Sequence, residues 1–190
     1  MSSPTTPTTP DLVLLSLLCE KPRHGYDIVA ELTRREVQDW AGVSRPQVYY
    51  SLKKLAAQNW IAPLGLRETN TGAERQVYAI TDAGRDALHS GLARNEWATG
   101  RVLPPFLTWL ALSPHTDHDT VETMIARRAA FLAGEIEREN THLPTIRAHV
   151  GASGVVAELM VTHKIAQWEA ELSWLDRVRD TIFANAATNP

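Results

Sequence analysis

The chain of 190 residues contains a single cysteine, Cys19. A disulfide bond within the chain is therefore excluded, which is typical of proteins that work in a reducing compartment. Cys19 ends an apolar run that begins at Leu12. Because an unpaired cysteine usually behaves as a small buried apolar residue, we expect Cys19 to lie in the core and not to act as a nucleophile.

Long apolar runs are also missing, since none approaches the roughly 20 residues that a membrane-spanning helix needs. The first ten residues are Ser, Thr and Pro after Met1, without the basic and apolar regions of a signal peptide. We expect residues 1–10 to form a disordered tail. We also expect the protein to be cytoplasmic and to have no membrane partner.

Neither sign of charge dominates, because 19 Lys and Arg face 22 Asp and Glu, which gives a formal net charge of -3. A global field that would draw the chain onto nucleic acid or an anionic membrane is therefore excluded. Acidic residues are absent, however, between positions 40 and 67, where the basic residues are Arg45, Lys53, Lys54 and Arg67. An acid-free stretch in a mildly acidic chain predicts a local surface for phosphate.

The sequence offers no recognisable constellation for catalysis or metal binding. It has no phosphate-binding loop, no Ser/His/Asp pattern and no paired carboxylates. His115 and His118 lie near Asp117 and Asp119, but one short cluster without a second ligand pair is a weak metal signal. We expect no catalytic residue, no metal and no cofactor, and therefore no enzyme.

The order of predicted elements in residues 11–100 is that of a winged helix-turn-helix DNA-binding domain. The segments are helices over 10–19, 26–36 and 44–58, a turn over 40–43, strands over 61–67 and 75–80, and a helix from 81 toward 97. We expect Asn59, directly after the third helix, to take the left-handed conformation that ends many helices. A helix of about 10–12 Å diameter fits the major groove of B-DNA, and a two-stranded wing reaches the flanking backbone.

Residues 101–190 predict a C-terminal α-helical dimerisation domain, so that the fold class is mainly α. Its segments are a short apolar helix over 106–112 and long helices over 120–149 and 155–184. We expect Pro144 to kink or interrupt the first long helix. Both long helices carry more apolar residues at helical spacing than a module of this size can bury. A partner subunit is one solution, and packing of both helices back onto the winged helix is the other.

Four stretches of the N-terminal part carry a resemblance to a known family when they are taken in order. They are LLSLL at 14–18, HGYDI at 24–28, QVYYSLKKL at 47–55 and VYAITDAGR at 77–85. Together they resemble the PadR family of bacterial transcriptional regulators, and the C-terminal part is similar in length and position to the helical domain of its larger subfamily. The resemblance implies a homodimer on a palindromic operator, usually a repressor released by a small molecule. Ser51, Asn59 and Trp60 depart from the family pattern, which bears on operator preference.

The third predicted helix carries the side chains that we expect to contact DNA. Ser44, Arg45 and Gln47 lie at its start, where Arg can contact guanine and Gln can contact adenine. Lys53 and Lys54 follow toward its end, and Lys53 is the better placed of the two for a backbone phosphate. A solvated helix face without DNA contacts is the alternative interpretation.

Three further DNA contacts are implied by the family resemblance alone. Tyr49 matches a tyrosine whose hydroxyl is expected on a phosphate. Tyr26 matches a residue that braces the recognition helix and reaches phosphate. Arg75 matches a basic residue of the wing that is expected at the minor groove or its phosphates.

The tryptophans are the candidate effector residues. Trp97 and Trp109 flank the predicted domain junction, and Trp168 lies on the last helix. Aromatic walls suit a small flat aromatic effector, while packing in the core or the dimer interface is the competing interpretation. The expected function is a DNA-binding transcriptional regulator, and a MarR-like regulator or a winged-helix protein–protein interaction module are the alternatives.

Overall fold

The computed structural model describes the backbone of residues 6–68, 74–148 and 151–186, and the side chains of 6–65, 76–148 and 151–182. It divides into an N-terminal unit, Met1–Arg101, and a C-terminal unit, Val102–Pro190. The elements in chain order are α1 (Thr9–Glu20), β1 (Arg23–His24), α2 (Gly25–Arg34), α3 (Val37–Ala41), α4 (Arg45–Ala57), β2 (Ile61–Glu68), β3 (Glu74–Ile80), α5 (Asp82–Leu92), α6 (Glu96–Thr99), α7 (Pro105–Leu112), a 3-10 turn (Ser113–His115), α8 (His118–Arg147) and α9 (Ala152–Ala186). The predicted mainly α fold with an N-terminal winged helix and C-terminal helices is confirmed.

Helix α1 forms the centre of the N-terminal unit. It packs against α4, α5 and β3, because a helix that is apolar on every side is stable only when every side is covered. Its buried residues are Asp11, Leu12, Val13, Leu14, Leu15, Leu17 and Leu18. Asp11 is the one charged residue among them, and its carboxylate faces α4.

Helix α4 begins and ends where the sequence predicts. Ser44 caps its start together with Gln47, and Pro46 lies in its first turn, where proline is tolerated. Asn59 has φ of 56°, which confirms the left-handed residue predicted after the helix. The backbone N–H of Trp60 then donates to the Leu55 carbonyl at 2.9 Å and closes the last turn.

The sheet has three antiparallel strands in the order β1-β3-β2, one more than the predicted two-stranded wing. In β1, Arg23 and His24 pair with Tyr78 and Val77 of β3. A two-residue strand has no apolar alternation, so the sequence indicates only a break there. The register of β2 against β3 shifts between Pro63 and Gly65, since proline cannot donate to the ladder.

Two helices of the N-terminal unit, α2 and α5, are shorter than predicted. Helix α2 ends at Arg34. Of the turn predicted over 40–43, Trp40 and Ala41 form the end of α3, and 42–43 lie outside the helix. Glu36, with φ of 50°, and Gly42, with φ of 63°, bound α3 by left-handed conformations. The helix predicted from 81 toward 97 also ends early, at Leu92, and α6 follows separately.

The prediction that Cys19 lies in the core is wrong. Its side chain is exposed in the last turn of α1, where residues 19–22 are all exposed. The buried face therefore ends at Leu18. Arg85 Nη1 donates to Cys19 Sγ at 3.6 Å.

In the C-terminal unit α8 and α9 pack along each other in antiparallel directions. Three ion pairs join them at positions that run in opposite order: Arg128 with Glu171, Glu139 with Lys164, and Arg147 with Glu158. Pro144 lies inside α8, which continues past it to Arg147. The buried core of this unit consists of Phe106, Val121, Ile125, Leu132 and Leu175. Within the described part of the chain, no helix combines the length and apolar content needed to cross a membrane.

Candidate nucleic-acid interface

The outer face of α4 brings together three of the predicted contact residues. Arg45, Tyr49 and Lys53 follow one another at a spacing of four, which aligns them along one side of a helix. All three are exposed, while the buried residues of the same helix, Val48, Ser51, Leu52 and Leu55, hold it to the core. The face is therefore basic and aromatic, and it is held rigidly by the packing behind it.

At the start of α4, Ser44 and Gln47 form a reciprocal cap. The Gln47 side-chain oxygen Oε1 accepts from the Ser44 backbone N at 2.7 Å and from the Ser44 hydroxyl at 2.8 Å. This arrangement satisfies a backbone donor that the helix itself cannot satisfy. A base contact by Gln47 would therefore use its amide nitrogen or require the cap to open.

Tyr26 lies in the first turn of α2 with more than half of its surface exposed. The preceding residue, Gly25, is partly buried against α4, where an added Cβ would lie 3.3 Å from Leu52 Cδ1 and 3.8 Å from Tyr49 Cε1. Glycine thus allows the start of α2 to approach α4 and sets Tyr26 near Tyr49. Sequence reasoning did not use this glycine, although the HGY motif contains it.

His24 caps α2, in keeping with a structural role. Its Nδ1 accepts from the Asp27 backbone N at 3.2 Å, and its Nε2 lies 2.9 Å from Asp27 Oδ2. The two contacts fix the end of β1 to the first turn of α2. Tyr26, two residues after His24, is held by the same cap.

Lys54 differs from the other predicted contact residues of α4 because its ammonium group faces α1. Its Nζ lies 2.5 Å from Oδ2 of Asp11, whose side chain is fully buried. Burial raises the pKa of Asp11, but the hydrogen bonds from Lys54 and Thr8 outweigh that effect, so the net pKa is lowered. The carboxylate is therefore charged, and the pair is an ion pair inside the fold. Sequence reasoning placed Asp11 only at a helix start, although an acid heading an apolar run is a signal for such a partner.

The structure describes the backbone of Arg75, which belongs to β3. It pairs with Arg67 in the β2–β3 ladder, and its side chain lies outside the described residues. The wing tip, residues 69–73, lies outside them as well.

The three candidate effector tryptophans are divided between the two units. Trp97 is half exposed in the N-terminal unit, and its Nε1 donates to the Gly91 carbonyl at 2.7 Å. Trp109 and Trp168 both pack against the core of the C-terminal unit. Trp109 stacks on Phe106 with ring centroids 5.3 Å apart.

The short His/Asp cluster before α8 is occupied by a helix cap. Asp117 accepts from the Thr120 backbone N and from its hydroxyl, both at 2.7 Å. These hydrogen bonds, with Thr120 as the main cause, lower the pKa of Asp117. Among the described residues, no group of three or more His, Cys, Asp or Glu is arranged to hold a metal ion.

Comparison with known proteins relates the N-terminal part of the chain to a family of regulators. Residues 14–90 match the family model described as "Transcriptional regulator PadR-like family". The negative transcriptional regulator PadR of Bacillus subtilis (strain 168) is 33% identical over 85 residues. That alignment covers 44% of this chain and 44% of the relative, so the matched part is less than half of either protein.

Solved structures are similar over most of the chain. Bacillus subtilis PadR in complex with operator DNA has a TM-score of 0.75 at 20% identity, covering 88% of this chain and 94% of that one. The structure of the same protein in complex with p-coumaric acid has a TM-score of 0.74 at 18% identity, and the match covers 96% of this chain and 98% of that one. A PadR-like transcriptional regulator of Bacillus cereus has a TM-score of 0.67 at 20% identity, and the match covers 94% of this chain and 99% of that one. These structural similarities establish a shared fold, and residues 14–90 are similar to the transcriptional regulator PadR-like family.

Proposed function

We propose that the chain is a sequence-specific DNA-binding transcriptional regulator whose α4 enters the major groove. The observation that carries this proposal is the exposed, acid-free face formed by Arg45, Tyr49 and Lys53 on the helix that a winged helix inserts into DNA. Phosphate contacts supply most of the affinity of such proteins, while base-edge contacts supply the specificity. The face offers both kinds of group.

The proposed roles follow from position on the helix. Arg45 and Gln47 at the start of α4 read base edges, and Ser44 beside them contacts an edge or a phosphate. Tyr49 and Lys53 donate to phosphates, and Tyr26 does so from α2. Arg75 contacts the flanking backbone from the wing. The MarR-like alternative is not retained, because residues 14–90 match the PadR-like family.

A homodimer is the second part of the proposal. Large apolar side chains are exposed at the start of α9 and on α8, where a second copy would cover them: Phe131, Val155, Val156, Leu159 and Met160. The four on α9 lie at one side of the helix, since they occur in adjacent pairs four residues apart. A twofold dimer would present two α4 helices to a palindrome with half-sites about 34–36 Å apart.

Repression and its release by a small aromatic effector complete the proposal. A relative is described as a negative regulator, and a protein of similar fold has been solved with p-coumaric acid. Trp97, Trp109 and Trp168 are the proposed aromatic contacts. The test measures operator affinity with and without p-coumaric acid. Binding of the acid that leaves operator affinity unchanged would contradict release, because an effector acts only through different affinities for the two states.

Selection of genomic DNA fragments by the purified full chain tests the central claim. We expect a palindromic site to be enriched, and the isolated site to bind wild type far more tightly than R45A. R127A is the matched control, since Arg127 is an exposed arginine of α8 in the C-terminal unit. Failure to enrich any site at low salt without effector would contradict the proposal and favour a protein–protein interaction module.

A further inference from the structure

Two neighbouring lysines of α4 have opposite surroundings. Lys53 is exposed, whereas the Lys54 side chain retains 19% of its exposure and ends at the carboxylate of Asp11. Successive residues of a helix point about 100° apart, so only one of the two can lie near the outer face of α4. Helix spacing places Lys53 on the face with Arg45 and Tyr49, and Lys54 points to Asp11 of α1, 43 residues earlier in the chain.

Asp11 is built into the fold and not merely near Lys54. Its Oδ2 accepts from the backbone N and the hydroxyl of Thr8, each at 2.8 Å, and from Lys54 Nζ. Its other oxygen, Oδ1, is buried without a hydrogen-bond partner. The buried Ser51 hydroxyl of α4 also lowers the pKa of Asp11, and among the donors in the described part of the chain Lys54 is the charged one.

Stability alone is a weak account of this pair. The cost of removing two charges from water often exceeds their mutual attraction, and apolar replacements of buried pairs are frequently as stable. Leucine at position 11 together with methionine at position 54 would continue the apolar surface of α1 without an orphaned oxygen or an unpaired ammonium group. The effect that leucine at position 11 could not reproduce while Lys54 is kept is the withdrawal of a positive charge from the side of α4 next to the DNA-reading face.

We propose that Asp11 is an internal counterion that withholds Lys54 from DNA, so that α4 offers one backbone-binding lysine, Lys53, and not two. This inference rests on the proposed DNA-binding function. Its consequence is specificity: binding to arbitrary DNA depends on phosphate contacts, so one cation fewer lowers that background while base contacts by Arg45 and Gln47 are kept. Asp11 thus acts as a positioning residue through Lys54.

The first test compares K53M with K54M in the full chain on a 30-bp duplex of mixed sequence. The logarithm of the association constant is measured against the logarithm of salt concentration, and each lost phosphate contact reduces the slope by about 0.9. We expect the slope of K53M to be shallower than that of wild type by about 0.9 per protomer, and the slope of K54M to equal that of wild type. A loss in K54M equal to that in K53M would overturn the proposal.

The second test releases Lys54 by D11N, which removes the charge and preserves the shape of the side chain. We expect the slope to steepen by about 0.9 per protomer, or about 3.5-fold more affinity lost per protomer between 50 and 200 mM salt. The double variant D11N/K54M should return to the wild-type slope. A purely structural role of Asp11 would weaken binding without steepening the slope, and K54M would not correct it.

Acetylation of lysines by an amine-reactive ester, followed by mass spectrometry, gives a readout that needs no DNA. Lys54 should react more slowly than Lys53 in wild type and as fast in D11N. If D11N fails to fold by circular dichroism, the comparison of K53M with K54M decides. Equal acetylation of both lysines in wild type would refute the pairing while leaving DNA binding intact. A wild type that binds no DNA would refute the proposed function, and this inference with it.

Discussion

Replacing Gly84 by alanine should destabilise the N-terminal unit, although alanine normally favours a helix. Gly84 lies in the first turn of α5, and an added Cβ would overlap the carbonyl oxygen of Trp60 and lie 2.9 Å from Ile80 Cγ1. Backbone atoms cannot rotate away as a flexible side chain can. Helix α5 would therefore have to move away from the start of β2.

The expected cost combines two opposing effects. Alanine gains about 0.5–1 kcal/mol over glycine in a helix interior, while inserting a methyl group into a packed site costs about 1–3 kcal/mol and more where backbone must move. We expect G84A to lower the free energy of unfolding by about 2 kcal/mol. Urea denaturation followed by circular dichroism measures this value.

The same change should also affect α4, the proposed recognition helix. Gly84 N donates to the Thr81 hydroxyl at 3.0 Å, that hydroxyl donates to the Asn59 carbonyl at 2.8 Å, and Thr81 N donates to Trp60 O at 3.1 Å. These bonds tie the end of α4 to the start of α5. We therefore expect G84A to weaken operator binding, as measured by fluorescence anisotropy.

The matched control is G134A, the same substitution inside α8. Apart from the neighbouring backbone of α8 itself, no described atom lies within 4 Å of a Cβ at Gly134. We therefore expect G134A to show the full gain in stability of about 0.5–1 kcal/mol that alanine has over glycine in a helix. Opposite signs for the two variants are the expected result. A G84A protein as stable as wild type would refute the steric argument, and so would equal losses in both variants.

Three further outcomes are expected. R45A should lose about 1–3 kcal/mol of discrimination at one operator position, measured with single-base variants of the site. The pKa of Glu31 is lowered from 4.5 to about 2, mainly by Arg34. The contribution of ionised Glu31 to the stability of the fold is therefore fully present above the pKa that Glu31 has in the unfolded chain, and it is lost as the pH falls toward 2. Thermal melts at pH 2–6 should show a shallower decline for E31Q than for wild type, and equal declines would contradict the assignment. L159E should convert a dimer to monomers in light scattering.

The recognition helix was predictable because its signals are local. Ser44 and Gln47 cap it, Asn59 ends it, and the apolar spacing of Val48, Leu52 and Leu55 orients it. Each of these features depends on residues within one or two turns. Sequence reasoning therefore located the helix and the side that faces outward.

Features that depend on distant partners were not predictable in the same way. β1 exists only because β3 lies beside it, more than 50 residues later, and its two residues have no pattern of their own. Helix spacing favours Lys53 over Lys54 for the outer face, but the partner of Lys54, the buried carboxylate of Asp11, lies 43 residues away in the sequence. Cys19 continues an apolar run, but the part of α1 that other elements cover ends at Leu18, one residue earlier.

The two-residue strand β1 has a mechanical consequence. Arg23 and His24 are hydrogen-bonded to the base of the wing through β3, and His24 also caps α2. The base of the wing and the first turn of α2 are thus joined by strand pairing and by the His24 cap. If the wing is displaced in the proposed DNA complex, we expect the displacement to reach Tyr26 through these bonds.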